Sequence, residues 1–172
     1  VAANRVDGSD GPTLQKVGVS GTGAVAVKIG DADKAVNMTT ISSSGAASTT
    51  FTVFETIDNF TGTLASTTGV AAGATLNLTA AKATGKTITG AGSGSVNVTA
   101  LDQTLDADVS AITAATGSGA TLTGTYLTSG SGDFIGNFGT AGMTVNISDG
   151  ATMTVAANRV DGSDGPTLQK VG

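Results

Sequence analysis

The sequence predicts an all-β chain wound as a β-solenoid (β-helix) of tandem repeats. Three observations carry this expectation: an exact internal repetition, short stretches of apolar residues at period two, and a core vocabulary of small and β-branched side chains with few rings. Residues 1–18, VAANRVDGSDGPTLQKVG, recur unchanged at 155–172, a period of 154 residues. Eighteen identities in eighteen positions are not a chance event, and repetition at fixed period is the signature of arrays.

The period-two stretches define the elements. Val25-Ala26-Val27-Lys28-Ile29, Phe51-Thr52-Val53, Leu76-Asn77-Leu78-Thr79, Val96-Asn97-Val98-Thr99, Met143-Thr144-Val145-Asn146-Ile147 and Met153-Thr154-Val155 each turn one apolar face inward. Between them stand breaks rich in Gly, Ser and Asp: Asp7–Gly11, Ser42–Gly45, Gly90–Gly94, Gly117–Gly119 and Ser129–Gly132. Only Thr79–Thr84 and Asp106–Ala115 have room for a short turn of helix. The expectation is strands of about 4–6 residues in coils of about 20–26.

Composition chooses between two architectures. The chain has 26 Gly, 30 Thr and 26 Ala, no Trp, no Cys, no His and a single Tyr, Tyr126. Aromatics make up 3%, too few for the wide core of tandem Ig-like β-sandwiches, the alternative fold. Only Pro12 and its copy Pro166 are available to mark linkers between such domains. A narrow stack needs no bulky filler, and charged residues at 12% with mean hydropathy +0.20 argue against a disordered tail. Twelve of thirteen acidic residues are Asp, the exception being Glu55, as expected where acids serve turns.

A weaker periodicity lies inside the repeat. Gly73-Ala-Thr-Leu-Asn-Leu matches Gly150-Ala-Thr-Met-Thr-Val at a spacing of 77, half of 154. Asp133-Phe-Ile-Gly-Asn-Phe matches Asp58-Asn-Phe-Thr-Gly-Thr-Leu, and Asp108-Val-Ser-Ala-Ile matches Lys34-Ala-Val-Asn-Met. The organisation expected is one full repeat over 1–154, with half-repeats near 1–73 and 74–150, followed by the start of the next repeat at 155–172.

The segment GATLNLTAAKATGKTITGAGSGSVNVTALDQTLDADVSAIT (73–113) resembles the β-strand-repeat regions of very large bacterial extracellular surface proteins, the adhesins and haemolysin-like giants. The likeness is compositional and strongest over 73–125. It implies a long repeat protein at the cell surface, and nothing about ligand. The glycine-rich calcium nonapeptide G-G-x-G-x-D of some such proteins is absent from this chain.

The residues narrow the function. Without His or Cys, neither a Ser-His-Asp nor a Cys-His centre can be assembled, nor the usual zinc sites, so no enzyme is expected. Gly85-Lys86-Thr87 has the end of a phosphate-binding loop, but Ala80 stands where that loop needs its first glycine. Net charge −5 and a pI near 4.3 disfavour nucleic acid. No apolar run approaches the roughly 18 residues of a membrane span.

Two kinds of candidate site remain. Asp7 and Asp10 on one glycine-bent loop, with their copies Asp161 and Asp164, are the Ca²⁺ candidates; the plain alternative is an Asx turn. Asp31-Ala-Asp33 and Asp106-Ala-Asp108 pair carboxylates in extended segments and read more simply as solvated turns. Asn37, Asn59, Asn77, Asn97 and Asn146 sit in N-x-S/T sequons, although a half-buried strand writes the same letters. Thr50/Thr52 and Thr121/Thr123/Thr125 form outward threonine rows too irregular in sequence for an ice-binding face. The expected role is a segment of an extracellular filament or fibrous scaffold that associates head to tail with identical repeats. The alternative is a rigid stalk or ligand-binding segment of a surface adhesin, stiffened by Ca²⁺ and touching cell surface or matrix.

Overall fold

The computed structural model describes residues 16–18, 24–44, 48–113, 119–128, 132–138, 143–155 and 170–171. Its strands are β1 (Lys16–Gly18), β2 (Val25–Ile29), β3 (Ser42–Ser44), β4 (Thr49–Val53), β5 (Thr67–Val70), β6 (Thr75–Thr79), β7 (Thr87–Gly90), β8 (Ser95–Thr99), β9 (Ile112–Thr113), β10 (Leu122–Tyr126), β11 (Thr144–Ile147) and β12 (Lys170–Val171). Among the described residues, one four-residue helix, α1 (Ala80–Ala83), and three single 3-10 turns complete them.

Every strand pair among the described residues is parallel. Three sheets form among the described residues: a two-stranded one of β1 and β3, a five-stranded first sheet in the order β2-β4-β5-β7-β9 over residues 25–113, and a five-stranded second sheet in the order β12-β11-β10-β8-β6 over residues 75–171, the last two overlapping along the stack. Successive strands of one sheet come from successive coils, so the chain is a β-solenoid in which each large sheet crosses about five turns. An Ig-like sandwich needs antiparallel hairpins and is thereby overturned.

Register shows how the thin core is filled. Val27, Phe51, Thr68, Ile88 and Ile112 stack in one inward column of the first sheet. Leu76, Val96 and Leu122 stack in the second, beside Leu78, Val98, Gly124 and Val145. Each inward residue therefore meets its counterparts one coil above and below, and one column of aliphatic side chains suffices where a globule needs several layers. Gly124 interrupts its column because Leu101 and Met143 occupy the space. A Cβ there would lie 2.7 Å from Leu101 Cδ1 and 2.6 Å from Met143 Sδ. The buried rings are spread along the stack, Phe51 and Phe60 in earlier coils and Tyr126, Phe134 and Phe138 in later ones, with Phe134 and Phe138 stacked at 4.8 Å between centroids.

Some local expectations change. Ser42–Ser44, read as a break, is strand β3, paired Lys16↔Ser42 through Gly18↔Ser44. Met153–Val155, read as a strand, makes a single bridge, Phe134↔Val155. The short helix forms at Ala80–Ala83, while within Asp106–Ala115 the residues to Thr113 hold a bridge at Asp108 and strand β9. Coil lengths also vary more than 20–26. The step is 17 residues at Thr52↔Gly69 and 29 at Asp108↔Asn137.

Candidate functional surfaces

The outward face of the second sheet holds the most ordered polar arrangement. Thr75, Asn77 and Thr79 on β6 align with Ser95, Asn97 and Thr99 on β8, and Asn97 aligns with Thr123 on β10. Thr123 and Thr125 then align with Thr144 and Asn146 on β11. None of these positions carries a charge.

One column is a continuous hydrogen-bonded ladder. Asn77 Nδ2 donates to the Ile57 carbonyl at 3.0 Å, Asn97 Nδ2 donates to Asn77 Oδ1 at 2.9 Å, and Thr123 Oγ1 donates to Asn97 Oδ1 at 2.9 Å. Four successive coils are thus tied outside the apolar columns by side chains whose bonds run parallel to the backbone ladders. Thr99 Oγ1 reinforces the step with a 3.3 Å bond to the Leu78 carbonyl. Repetition at period two announced strands; the alignment of Asn on Asn needs the 20-residue step, which period two does not contain.

The ladder sorts the sequons. Asn77 and Asn97 are half-buried, and their amide nitrogens, the atoms a glycan would occupy, are both donated. Asn37, Asn59 and Asn146 are exposed. Asn37 caps its own turn, accepting from Thr39 N at 3.1 Å and Thr39 Oγ1 at 2.6 Å through Oδ1.

That turn has a double. Asp108 Oδ1 accepts from Ser110 N at 3.1 Å and Ser110 Oγ at 2.6 Å. Around Asn37, Thr63 N–H donates to Val36 O and Met38 N–H to Thr63 O; around Asp108, Asn137 N–H donates to Ala107 O and Val109 N–H to Asn137 O. In the overlying coil Phe60-x-Gly62-x-Leu64 answers Phe134-x-Gly136-x-Phe138, all six buried. A Cβ on Gly62 would sit 2.0 Å from Val36 O, and one on Gly136 2.5 Å from Ala107 O. The geometry matches Asp108 with Asn37, three positions from the sequence match with Lys34, because the Asx turn and not the preceding apolar residue sets the corner.

The acidic pairs go separate ways. Asp33 is buried and its Oδ2 accepts from Gly30 N at 3.0 Å, while Asp31 N–H donates to Glu55 Oε1 at 2.8 Å and Lys34 lies 3.7 Å from Asp31. Asp106 is exposed and Asp108 is the turn cap just described. Asp102, which sequence reasoning passed over, ties two coils: Oδ1 accepts from Leu127 N at 3.1 Å and Oδ2 from Thr128 Oγ1 at 2.7 Å. Desolvation pushes its carboxyl upward, but the bonds from the Thr128 hydroxyl and the Leu127 and neighbouring N–H groups outweigh it, so its pKa is lowered.

The Ca²⁺ candidates Asp7, Asp10, Asp161 and Asp164 lie outside the described residues. Among the described residues no three acidic, His or Cys side chains come together as a metal site, and no helix is long and apolar enough to cross a membrane. Threonines also line a shallow depression of about 270 Å³ on the first sheet, with Thr50, Thr52, Thr67 and Thr89 around the bare Gly69. Comparison with known protein families, curated proteins and solved structures finds no match to this chain.

Proposed function

We propose that this chain is a segment of a structural shaft, an extracellular filament or surface scaffold whose length is set by the number of stacked repeats. One observation carries the reading. Sequence-identical segments provide β1 at one end of the stack and β12 at the other, and each is paired in parallel to its neighbouring coil. A coil stack has no closed end of its own, so the same segment can finish one repeat and begin the next.

Physical properties of the stack suit such a role. Tension along the axis is shared by many parallel backbone ladders, by apolar columns and by the Asn ladder, so no single contact bears it. The sides show uncharged Thr and Asn on one sheet and Asp at the corners. With a net charge of −5, that surface keeps separate shafts soluble through mutual repulsion.

The test is electron microscopy of chains carrying two, four and eight copies of the 154-residue repeat. One repeat makes six or seven coils at about 4.8 Å each, so each copy should add roughly 30–35 Å to a smooth rod of constant width. Beads on flexible tethers, or a length independent of copy number, would overturn the shaft.

A further inference from the structure

We propose that the outward face of the first sheet binds ice, its ligand being the neutral, repeating water lattice of a crystal surface. This goes beyond the shaft reading and does not need it, because the whole face is built by β4, β5, β7 and β9 of one chain.

Register assembles a grid of threonines. Thr52 aligns with Gly69, Gly69 with Thr89 and Thr89 with Thr113, while Thr67 aligns with Thr87. Two places before the Thr52–Gly69 pair, the same register sets Thr50 beside Thr67. Two columns result, Thr50–Thr67–Thr87 and Thr52–Gly69–Thr89–Thr113. Thr50, Thr67, Thr87, Thr89 and Thr113 are exposed, and Thr52 is half-buried. In linear order these threonines look irregular because the coils differ in length: the step is 17 residues at Thr52↔Gly69, 20 at Gly69↔Thr89 and 24 at Thr89↔Thr113. Stacking removes the irregularity.

Three properties suit a lattice of water. Neighbouring grid positions repeat at about 4.7–4.9 Å across strands and about 6.6–6.8 Å along them, close to the distances at which water molecules repeat in ice. Thr is stiff at χ1, so the array gives up little side-chain freedom on binding; its hydroxyl both donates and accepts. No grid position carries a charge, in a chain of net charge −5. A charged group keeps a hydration shell of its own, and the grid stops at Lys28, which aligns with Thr52 from β2. The second sheet is a poorer match, since Asn77, Asn97 and Thr123 spend their side chains on one another.

Gly69 is the gap in the second column, in the depression bordered by Thr50, Thr52, Thr67 and Thr89. A Cβ there would meet nothing nearer than Phe51 O at 3.5 Å and Thr52 Oγ1 at 3.7 Å, ordinary contact distances. A threonine therefore fits and completes the column.

The test grows ice slowly through a dilute solution of the full chain and measures the fraction of protein entering the crystal, beside an inert protein of similar charge. The unaltered chain should enter several-fold more than the inert protein. Thr67→Lys and Thr89→Lys, two separate exposed points of the grid, should each fall to the inert level. Asn146→Lys, exposed on β11 of the second sheet, should leave entry unchanged, and Gly69→Thr should raise it. Circular dichroism melts identify which variants are folded, and the two lysine variants are independent of each other. Exclusion of the unaltered chain at the inert level, equal entry of Thr67→Lys and Asn146→Lys, or a folded Gly69→Thr chain with no gain would overturn the site. A chain that stays out of ice yet forms a dimer in sedimentation, lost in Thr67→Lys, would overturn it too and give the face to a second copy. Rods of multi-repeat chains in any of these cases would leave the shaft standing.

Discussion

Asn97→Ala is the most informative single perturbation, because Asn97 is the middle rung of the polar ladder. The substitution deletes the 2.9 Å bond to Asn77 Oδ1 and the 2.9 Å bond from Thr123 Oγ1. A side-chain hydrogen bond contributes about 1 kcal/mol net. Asn97 is half-buried, so water recovers part of the loss at the two abandoned oxygens. The expected cost is about 1–1.5 kcal/mol, which at a urea m-value of about 1–3 kcal/mol/M lowers the midpoint by roughly 0.3–1.5 M. The assay is built in: Tyr126, the sole tyrosine in a chain without tryptophan, is buried in β10, the strand that bonds β8, so its emission reports the affected coils. A cycle with Asn77→Ala should show a coupling of about 0.5–1 kcal/mol, as expected for residues in contact. If Asn97→Ala shifts stability by less than about 0.3 kcal/mol, or the two substitutions simply add, the ladder is ornament and the coils are held by backbone and core alone.

Other outcomes follow from the same geometry. Gly62→Ala and Gly136→Ala each push a methyl into a backbone carbonyl that cannot move aside, and should cost about 2–3 kcal/mol in urea melts. Gly73→Ala meets open space, so only its φ of +80° costs, about 1–2 kcal/mol; a reversed order would refute the corner packing. The lowered pKa of Asp102 contributes stability that is present above its unfolded value, near 3.8, and is lost as pH falls through the lower folded value. Asp102→Asn should accordingly flatten the acid limb of a stability profile between pH 5 and 2, and an unchanged limb would remove Asp102 from the account. In a host that N-glycosylates, glycopeptide mass spectrometry should find sugar only among Asn37, Asn59 and Asn146; occupancy at Asn77 or Asn97 would mean the ladder opens. Excess chelator should leave the thermal melt unshifted, whereas a fall of several degrees would bring the Asp7–Asp10 and Asp161–Asp164 loops into the stabilisation.

The alternating stretches were legible because side-chain direction in a strand depends only on neighbouring residues. Val25–Ile29, Thr75–Thr79 and Ser95–Thr99 each turn their aliphatic residues inward as their letters require. The serines at 42–44 misled for the complementary reason. Their small polar side chains resemble a turn, and only the presence of β1 one coil away makes them a strand. Asp102 was invisible because its partners Leu127 and Thr128 lie 25 and 26 residues away, a separation with no trace in local pattern. The sequons at Asn77 and Asn97 looked like the other three, since the accepting atoms belong to other coils.

Taken alone, the amino-acid order determined which residues face inward, that the chain is built of β-strands, and that its first eighteen residues return at 155. It also favoured the narrow stack over the wide-cored alternative, since a chain so poor in rings has little to fill a wide core with, but left that alternative for the parallel pairing to overturn. What only the tertiary structure decided is who lies above whom: the parallel sense of every described pair, steps as short as 17 and as long as 29, Asn77 beneath Asn97, and the carbonyls of Val36 and Ala107 against Gly62 and Gly136. The physical reason is that alternation is a short-range property of each strand. Stacking depends on the summed lengths of whole coils, and a corner loop can gain or lose residues without changing any strand it joins.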